Sequence, residues 1–588
     1  PALDKIIFKC LEKDPLNRYA AAKELAADLT RLKDESDRAS AANMRPGKAL
    51  AAAAPSVDPR AEPTKRWPRG DKSERPGKRP TVFVAGLTIL LAGAAIGFYL
   101  VDNPGAWLRP RIGTGPRAGS NQSTATVAPA APKSVAVLPF DNFSAEKDTD
   151  YLSDGLSDEI TTALSRLPGL KVAARNSAFT FKGHKEDLRK VGAALGVATL
   201  LEGSMRKAGR QVRVTAQLIN VADGFHLWSE TYESSMEDII AVQQEIARQI
   251  AERFELKTSA GSASSAPSRP APKPEVYALY LQGLHFWNKR TKGDLETAAQ
   301  LFRQAIDRDA TYAGAHAGLA ACYALMPDYS LRPSSEYFPL ARAAAGKALA
   351  LDPSSADAHA VLGLVKCFNY DFPGAEEEYR RALELNPNHA SARHWYGVQL
   401  REVGRMDDAW RELRRAEELD PLSPIIKFNL LTMFVYTRQY DQGMEECRKY
   451  QQAFPDFALY HDAMAWFYCV KGRHQEAIDE LLQLRSTIPD GPASLDHLGY
   501  NYARNGDEAR ARQVLAELEE WKKKGYAVRA MMGFVFLGLR EYDKAFDACN
   551  EAVEAHETLL GLQHEPTFDE VRTMPRFQAL LKKIGQAN

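Results

Sequence analysis

Prolines recur every 34 residues through the second half of this chain, at Pro353, Pro387, Pro421, Pro455 and Pro489. Small or apolar residues keep the same spacing. Twelve residues before each proline stand Ala341, Ala375, Ala409, Gly443 and Ala477, and five before stand Ala348, Ala382, Ala416, Tyr450 and Leu484. A fixed period of this length means an array of like units, each too small to bury its own apolar face and each covered by its neighbours. Within 356–387, Ala375, Tyr379 and Ala382 are four and three residues apart and share one helix face. Small side chains there let two backbones approach. The closing proline lacks an amide hydrogen and ends the helix. Each unit is therefore predicted to be two antiparallel helices.

This pattern resembles the tetratricopeptide repeat family. It extends upstream through Ala298, Phe302, Ala305 and Ala310. Downstream it runs through Leu498-Gly499, Tyr502, Ala511 and Leu515, then Met532-Gly533, Phe536, Ala545 and Ala552. About eight repeats are expected over 275–564, with a lead-in and capping helix over 565–588. Extra length between Tyr323 and Ala341 predicts longer helices or a loop in that repeat. The resemblance implies a binding surface on the concave face of each first helix. It falls on Phe368, Ile425, Phe428, Val435, Tyr436 and Trp466, with His394, Arg401 and Asp462 between them. Such a surface reads as an apolar peptide groove, and aromatic residues and arginine are the usual anchors of interfaces. The competing reading is that some of these side chains pack against neighbouring helices.

The chain opens on Pro1 with no signal peptide, which suggests a fragment. Residues 3–32 read as two short amphipathic helices joined by Asp14-Pro15-Leu16-Asn17-Arg18-Tyr19. This run, over residues 1–33, resembles the last subdomain of bacterial Ser/Thr protein kinases, in which the residue at Arg18 pairs with the glutamate of an A-P-E motif. That motif, the Gly-rich loop, the strand lysine, H-R-D and D-F-G are missing from this sequence, and Asp371-Phe372-Pro373-Gly374 lies inside a repeat. No phosphate, metal or base ligand of a kinase is left, so no catalytic role and no cofactor is expected.

Residues 34–80 and 102–132 are rich in Ala, Pro, Gly, Ser and basic residues and read as linkers. Between them, 81–101 carries 21 residues without a charge, enough at ~1.5 Å per residue to cross ~30 Å of hydrocarbon as one helix. Gly93-x-x-x-Gly97 is a small-xxx-small pattern that could pair two such helices into a homodimer, although glycine is ordinary in membrane spans. Within 20 residues of the span, Lys65, Arg66, Arg69, Lys72, Arg75, Lys78 and Arg79 precede it and only Arg109, Arg111 and Arg117 follow it. That asymmetry predicts a single-pass inner-membrane protein with its N-terminus in the cytoplasm and everything after Asp102 in the periplasm.

Residues 133–256 differ in pattern. Strands are predicted at 134–140, 170–174, 200–207, 212–220 and 226–232, and helices at 151–167, 188–195 and 236–254, with Ala208-Gly209 as a hairpin turn. Interleaved strands and helices give a small α/β domain. Leu201-Glu202-Gly203-Ser204, Thr215-Ala216-Gln217-Leu218-Ile219 and His226-Leu227-Trp228-Ser229-Glu230 make it similar to the TolB amino-terminal-like domain. That family precedes repeats in bacterial adenylate cyclases and receptor-like kinases, and it implies an interaction or sensory module. Asp154, Asp158 and Glu159 cluster at the predicted helix start, where carboxylates suit the helix dipole. His184 and His226 have no ligand partner at metal spacing. A Ser/Ala/Pro linker over 257–274 leads to the repeats.

Acidic and basic residues balance at 76 each, so nothing draws the whole chain to nucleic acid. Six scattered cysteines form no C-x-x-C, and Cys447 and Cys549 fall on a buried-helix slot as small core residues. The fold expected is a helical solenoid plus a small α/β domain, one membrane helix and a helical remnant of a kinase lobe. The function expected is a membrane-anchored interaction scaffold, the non-catalytic rear of a receptor-like Ser/Thr kinase that binds a protein or peptide. The alternatives are the regulatory part of an active kinase whose catalytic lobe lies outside this chain, and the rear half of an adenylate-cyclase-like regulator.

Overall fold

A computed structural model describes residues 133–586 apart from 145–149, 185, 237, 257–271, 290, 331, 489–490, 558 and 560. The kinase-like run, the charge-free span with its Gly93 and Gly97, Cys10, Pro489, both N-terminal linkers and most of 257–274 lie outside the described residues. Among those described, no helix is long and apolar enough to cross a membrane.

The α/β domain comes first. Its strands are β1 (Ser134–Val137), β2 (Asp141–Asn142), β3 (Lys171–Val172), β4 (Thr199–Ala208), β5 (Gln211–Asn220) and β6 (His226–Ser235). They form one six-stranded sheet in the order β3-β1-β4-β5-β6, with β2 pairing beside β4. β1 is parallel to β3 and β4, while β4, β5 and β6 run antiparallel. The single strand expected over 134–140 is broken, because Pro139 has no amide to give the ladder and β2 restarts at Asp141. Helices α1 (Asp150–Ser165) and α4 (Ile239–Arg253) cover one face through Leu152, Leu156, Ile160, Ile246 and Ile250. Helix α2 (Arg175–Phe179), which the periodicity does not reveal, and α3 (Leu188–Leu195) join the other layer.

Eight helical hairpins follow among the described residues. They are α5/α6 (Pro274–Lys289, Lys292–Arg308), α7/α8 (Ala313–Ser330, Ser334–Leu351), α9/α10 (Ala356–Phe368, Phe372–Leu385) and α11/α12 (Ala390–Glu402, Met406–Leu419). Then come α13/α14 (Pro424–Tyr436, Tyr440–Ala453), α15/α16 (Leu459–Val470, His474–Thr487), α17/α18 (Leu495–Arg504, Glu508–Lys523) and α19/α20 (Arg529–Gly538, Tyr542–Glu554). A short 3₁₀ turn (Pro566–Val571) and α21 (Pro575–Lys583) complete the chain. The second hairpin takes up its extra length as longer helices of 18 residues each.

Two local devices set the repeat. The residue before each periodic proline is driven out of helical geometry by the pyrrolidine ring. Asp352, Asn386, Asp420 and Phe454 accordingly share an extended φ between −128° and −140°. The turn inside each hairpin instead needs one residue in the left-handed region. That slot repeats as Tyr370, Gly404, Arg438, Gly472, Gly506 and Arg540. Close packing between the two helices of a hairpin explains the small residues: a Cβ on Gly363 would lie 2.7 Å from the Tyr379 ring. Ala375, Ala382, Ala409, Ala416, Cys447, Ala477 and Cys549 are all fully buried along the same seam.

Candidate interaction surface

The nine side chains singled out on the first helices separate into two groups. Arg401, Tyr436, Asp462 and Trp466 form one continuous chain of contacts. The Arg401 guanidinium lies 5.0 Å from the Tyr436 ring centre, and the Tyr436 ring meets Trp466 edge-on at 5.8 Å. Trp466 in turn packs 5.6 Å from the His497 ring, whose Nδ1 is 3.1 Å from the Asp462 carboxylate. The others stand apart. Phe368 packs edge-on against Phe338 of α8 at 5.7 Å. Phe428 is half-buried beside the core of the fifth and sixth hairpins, and Val435 sits inside that core at 1% exposure. His394 is buried on α11, and Ile425 is 42% exposed at the start of α13. For Val435 and Phe368, packing between helices is what the structure shows, because an inter-repeat contact uses the same helix face.

What faces the first group is the chain's own C-terminal segment. After α20 the backbone turns back across the first helices. Gly561 adopts φ +79° with its Cα against Tyr436, where any Cβ would strike the phenol hydroxyl. Glu565, 3% exposed, accepts from Trp466 Nε1 at 3.2 Å, from the Thr567 amide at 3.2 Å and from the Thr567 hydroxyl at 2.9 Å. Arg438 pairs with Asp569 at 2.8 Å, and Arg504 with Glu570 at 3.0 Å. Gln586 donates to Glu402 at 3.4 Å. The segment is also anchored by packing. Leu559, Leu562, Phe568, Val571, Phe577, Leu580, Leu581 and Ile584 are buried in the core of the last hairpins. Each such side chain is worth about 1.5–3 kcal/mol. The segment from Phe568 onward is a fixed cap, and Gly561–Glu565, held to the same core by Leu562, is the stretch that crosses the aromatic chain.

The electrostatics of this crossing follow from burial. Burial disfavours a charged His497 ring, yet Asp496, Asp462 and Glu565 outweigh it and lift the ring to about 10, so it is an imidazolium at neutral pH. Burial pushes the Glu565 carboxyl upward, opposed by Thr567, His497 and Trp466. An aromatic ring, a cation and three hydrogen-bond donors therefore surround one carboxylate.

A second internal surface joins the α/β domain to the array. Asn388, between the third and fourth hairpins, donates to the carbonyls of Ser165 at 3.0 Å and Leu170 at 2.8 Å. Asp420, beside Pro421, accepts from the amide and hydroxyl of Ser177 at 3.1 and 2.5 Å. Along α5, Tyr280 donates to Glu159 at 3.1 Å and His285 meets Asp154 at 3.2 Å. Leu281 and Tyr277 belong to the same core as the sheet and α1.

Asp154, Asp158 and Glu159 do not start a helix. α1 begins at Asp150, and the three carboxylates turn toward α5, Lys182 and Arg175. Burial would raise Asp154, but hydrogen bonds from His285 and Lys182 prevail and hold it low. For Glu159 the Tyr280 hydroxyl and the Arg166 charge are outweighed. Burial, and then Asp158, lift its carboxyl to about 7 against the Tyr280 hydroxyl. Among the described residues no group of three His, Cys, Asp or Glu side chains could hold a metal ion.

The sequence reading missed His497, Glu565, Asn388, Asp420 and Ser177. Only Asp420 carried a signal, as the residue before a periodic proline.

Comparisons with known proteins fit this geometry in parts. A family model described as the second domain of HilA/YgeH-like transcriptional regulators matches residues 131–249, which cover most of the α/β domain. Putative adenylate cyclase 3 of Rhizobium meliloti (strain 1021) is 40% identical over 192 residues, 33% of this chain and 32% of its own length. This chain therefore spans about a third of that curated relative. Among solved structures, Pseudomonas aeruginosa PilF is 24% identical, with 37% of this chain and 93% of that chain covered at a TM-score of 0.29. A tetratricopeptide repeat protein from Parabacteroides merdae is 14% identical, with 45% and 100% covered at a TM-score of 0.34. YrrB, described as a TPR protein with an unusual peptide-binding site, is 21% identical, with 33% and 94% covered at a TM-score of 0.24. The described residues form a mostly helical, tetratricopeptide-like solenoid with a small α/β region.

Proposed function

We propose that this chain is the protein-binding, non-catalytic part of a bacterial signalling protein, and that its first helices receive a peptide segment of a partner. The observation that carries this reading is Gly561–Glu565 lying across Tyr436 and Trp466. A hydrogen-bonded turn of backbone with one buried carboxylate already fits these side chains. Ile425, exposed, and Phe428, half-buried, extend the surface on α13, whereas Phe368 and His394 are packed or buried. Val435 contributes as core beneath it.

The test is a photoreactive amino acid at Ile425, exposed on α13, and at Arg411, exposed on the outer helix α12. In the native host, a covalent adduct with another protein is expected from position 425 and not from 411. No adduct from either position, or adducts from both, removes the reading.

Residues 3–32 resemble the end of a Ser/Thr kinase lobe, and residues 81–101 would anchor the chain in the inner membrane with the described domains in the periplasm. The Gly93/Gly97 pair would bring two spans together. A periplasmically active reporter fused after Asn588 should work, and a reporter active only in the cytoplasm there overturns the orientation. A second reading, an adenylate-cyclase-type regulator, draws on the Rhizobium relative's name. Sequencing the coding region upstream of Pro1 separates the two. The kinase reading requires H-R-D and D-F-G in frame.

A further inference from the structure

We propose that Trp466 and His497 form a carboxylate-reading subsite for an acidic peptide partner, and that residues Gly561–Glu565 occupy it as a built-in competitor. This rests on the peptide-binding reading above. The subsite has the parts such recognition needs. Trp466 supplies an indole donor at 3.2 Å from Glu565. His497 packs against that indole, tilted, at 5.6 Å and is held in place by Asp462 at 3.1 Å. The next anchor, Tyr436, presses on backbone with no Cβ, at Gly561. A ligand for this surface is therefore a peptide carrying glutamate a few residues after a glycine, between apolar side chains. The occupying segment has that chemistry: Gly561, Leu562, Glu565 and Phe568.

A tethered ligand acts at a local concentration far above that of a free one, so the wild-type chain must bind a free peptide of the same kind weakly. The apparent affinity is reduced by the fraction of molecules in which the strap is out. Gly561→Ala should open the strap, since alanine is strained at φ +79° and its Cβ would collide with Tyr436. The cap beyond Phe568 packs on the last hairpins independently of Gly561.

The probe is a fluorescent octapeptide with the sequence of residues 561–568, titrated against the full chain by anisotropy. The Gly561→Ala chain is expected to bind it at least tenfold more tightly than wild type. An octapeptide with glutamine in place of the glutamate is expected to bind at least tenfold more weakly than the parent. Equal binding by the two chains, or of the two peptides, overturns the proposal. Should Gly561→Ala lose cooperative unfolding, Glu565→Gln decides instead, because it keeps the side chain's volume and removes only the carboxylate. Amide exchange at 561–565 should then accelerate at least tenfold, and unchanged protection overturns the proposal. If position 425 still cross-links a partner while the octapeptide ignores these changes, this inference fails and the peptide-binding reading stands.

Discussion

Ser177 and Asp420, 243 residues apart, are joined twice: the amide and the hydroxyl of Ser177 both donate to the same carboxylate oxygen, at 3.1 and 2.5 Å. Asp420 is held extended by the proline that follows it. The repeat register thus places an acceptor on the edge of the array, and α2 of the sheet domain supplies two donors to it. The Ser177 hydroxyl also accepts from the Leu422 amide at 2.8 Å, and Ala174 donates to the Leu419 carbonyl at 2.6 Å. Asp420→Ala leaves both Ser177 donors buried without this acceptor. A buried polar group without a partner costs about 1–3 kcal/mol, so a loss of that order is expected in urea unfolding. Asp420→Asn, which keeps an acceptor oxygen, should lose less. Equal losses in the two variants would mean that the carboxylate's charge, rather than an acceptor oxygen at this place, is what Ser177 requires.

The junction along α5 should be sensitive to pH in the neutral range. Glu159 is lifted to about 7 from an ordinary value of 4.5. A carboxyl with a raised folded-state pKa binds more protons folded than unfolded. Its contribution is therefore complete below 4.5 and is lost as pH rises through 7. Asp154 works in the opposite sense: its lowered pKa contributes above the ordinary value of 3.8 and is lost only in stronger acid. Glu159→Gln stays neutral throughout. The variant should match wild type at pH 4.5 and exceed it by about 1–2 kcal/mol at pH 8. Parallel stability curves for the two chains between pH 5 and 8 contradict this.

The left-handed slot inside the hairpins gives a gain rather than a loss. Gly404, Gly472 and Gly506 fill it without a Cβ, whereas Arg540 takes φ +60° with one. Left-handed geometry costs a non-glycine residue about 1–2 kcal/mol. Glycine returns part of that through the freedom it adds to the unfolded chain, about 0.4–1 kcal/mol. Arg540 is exposed, so little packing is removed. Arg540→Gly should raise stability by about 0.5–1 kcal/mol, visible as a higher urea midpoint at unchanged slope.

The array was legible because its causes are local. A proline forces the residue before it out of the helix, and a glycine or alanine lets two helices meet, so both leave a mark every 34 residues. The left-handed slot was equally periodic, but with Tyr370, Arg438 and Arg540 in half of its positions it showed no composition to read. The α/β strands were placed by alternation to within a few residues, except where Pro139 divides the first. The return of the C-terminal segment left no such mark. Trp466 and Glu565 are 99 residues apart, and nothing periodic links them. The same holds for the junction, where Asp154 and Glu159 looked like helix-dipole residues until α5 was seen opposite. Alternation and helical spacing specify which face is buried; they do not specify what buries it.

Arg401 shows where that distinction matters most. Its place on a concave first helix suggested an anchor for a partner, but in the folded chain it is a structural ion. Its guanidinium pairs with Glu402 at 2.8 Å, with 10% and 0% of the two side chains exposed, and it also donates to Thr432. Glu402's other oxygen has Gln586 at 3.4 Å, a weak substitute for a cation. Removing one member of a buried pair strands the other, at a cost of about 3–5 kcal/mol, while replacing both with apolar residues of similar volume is near neutral or stabilising. Arg401→Ala should therefore lower the stability of the whole chain by several kcal/mol, whereas Arg401→Met with Glu402→Leu should restore most of it. If Arg401 served only to hold a partner, Arg401→Ala would leave the unfolding midpoint where it is and the double variant would be no better. The comparison of the three chains by urea denaturation, with no ligand present, separates a residue that binds from one that builds the surface on which binding occurs.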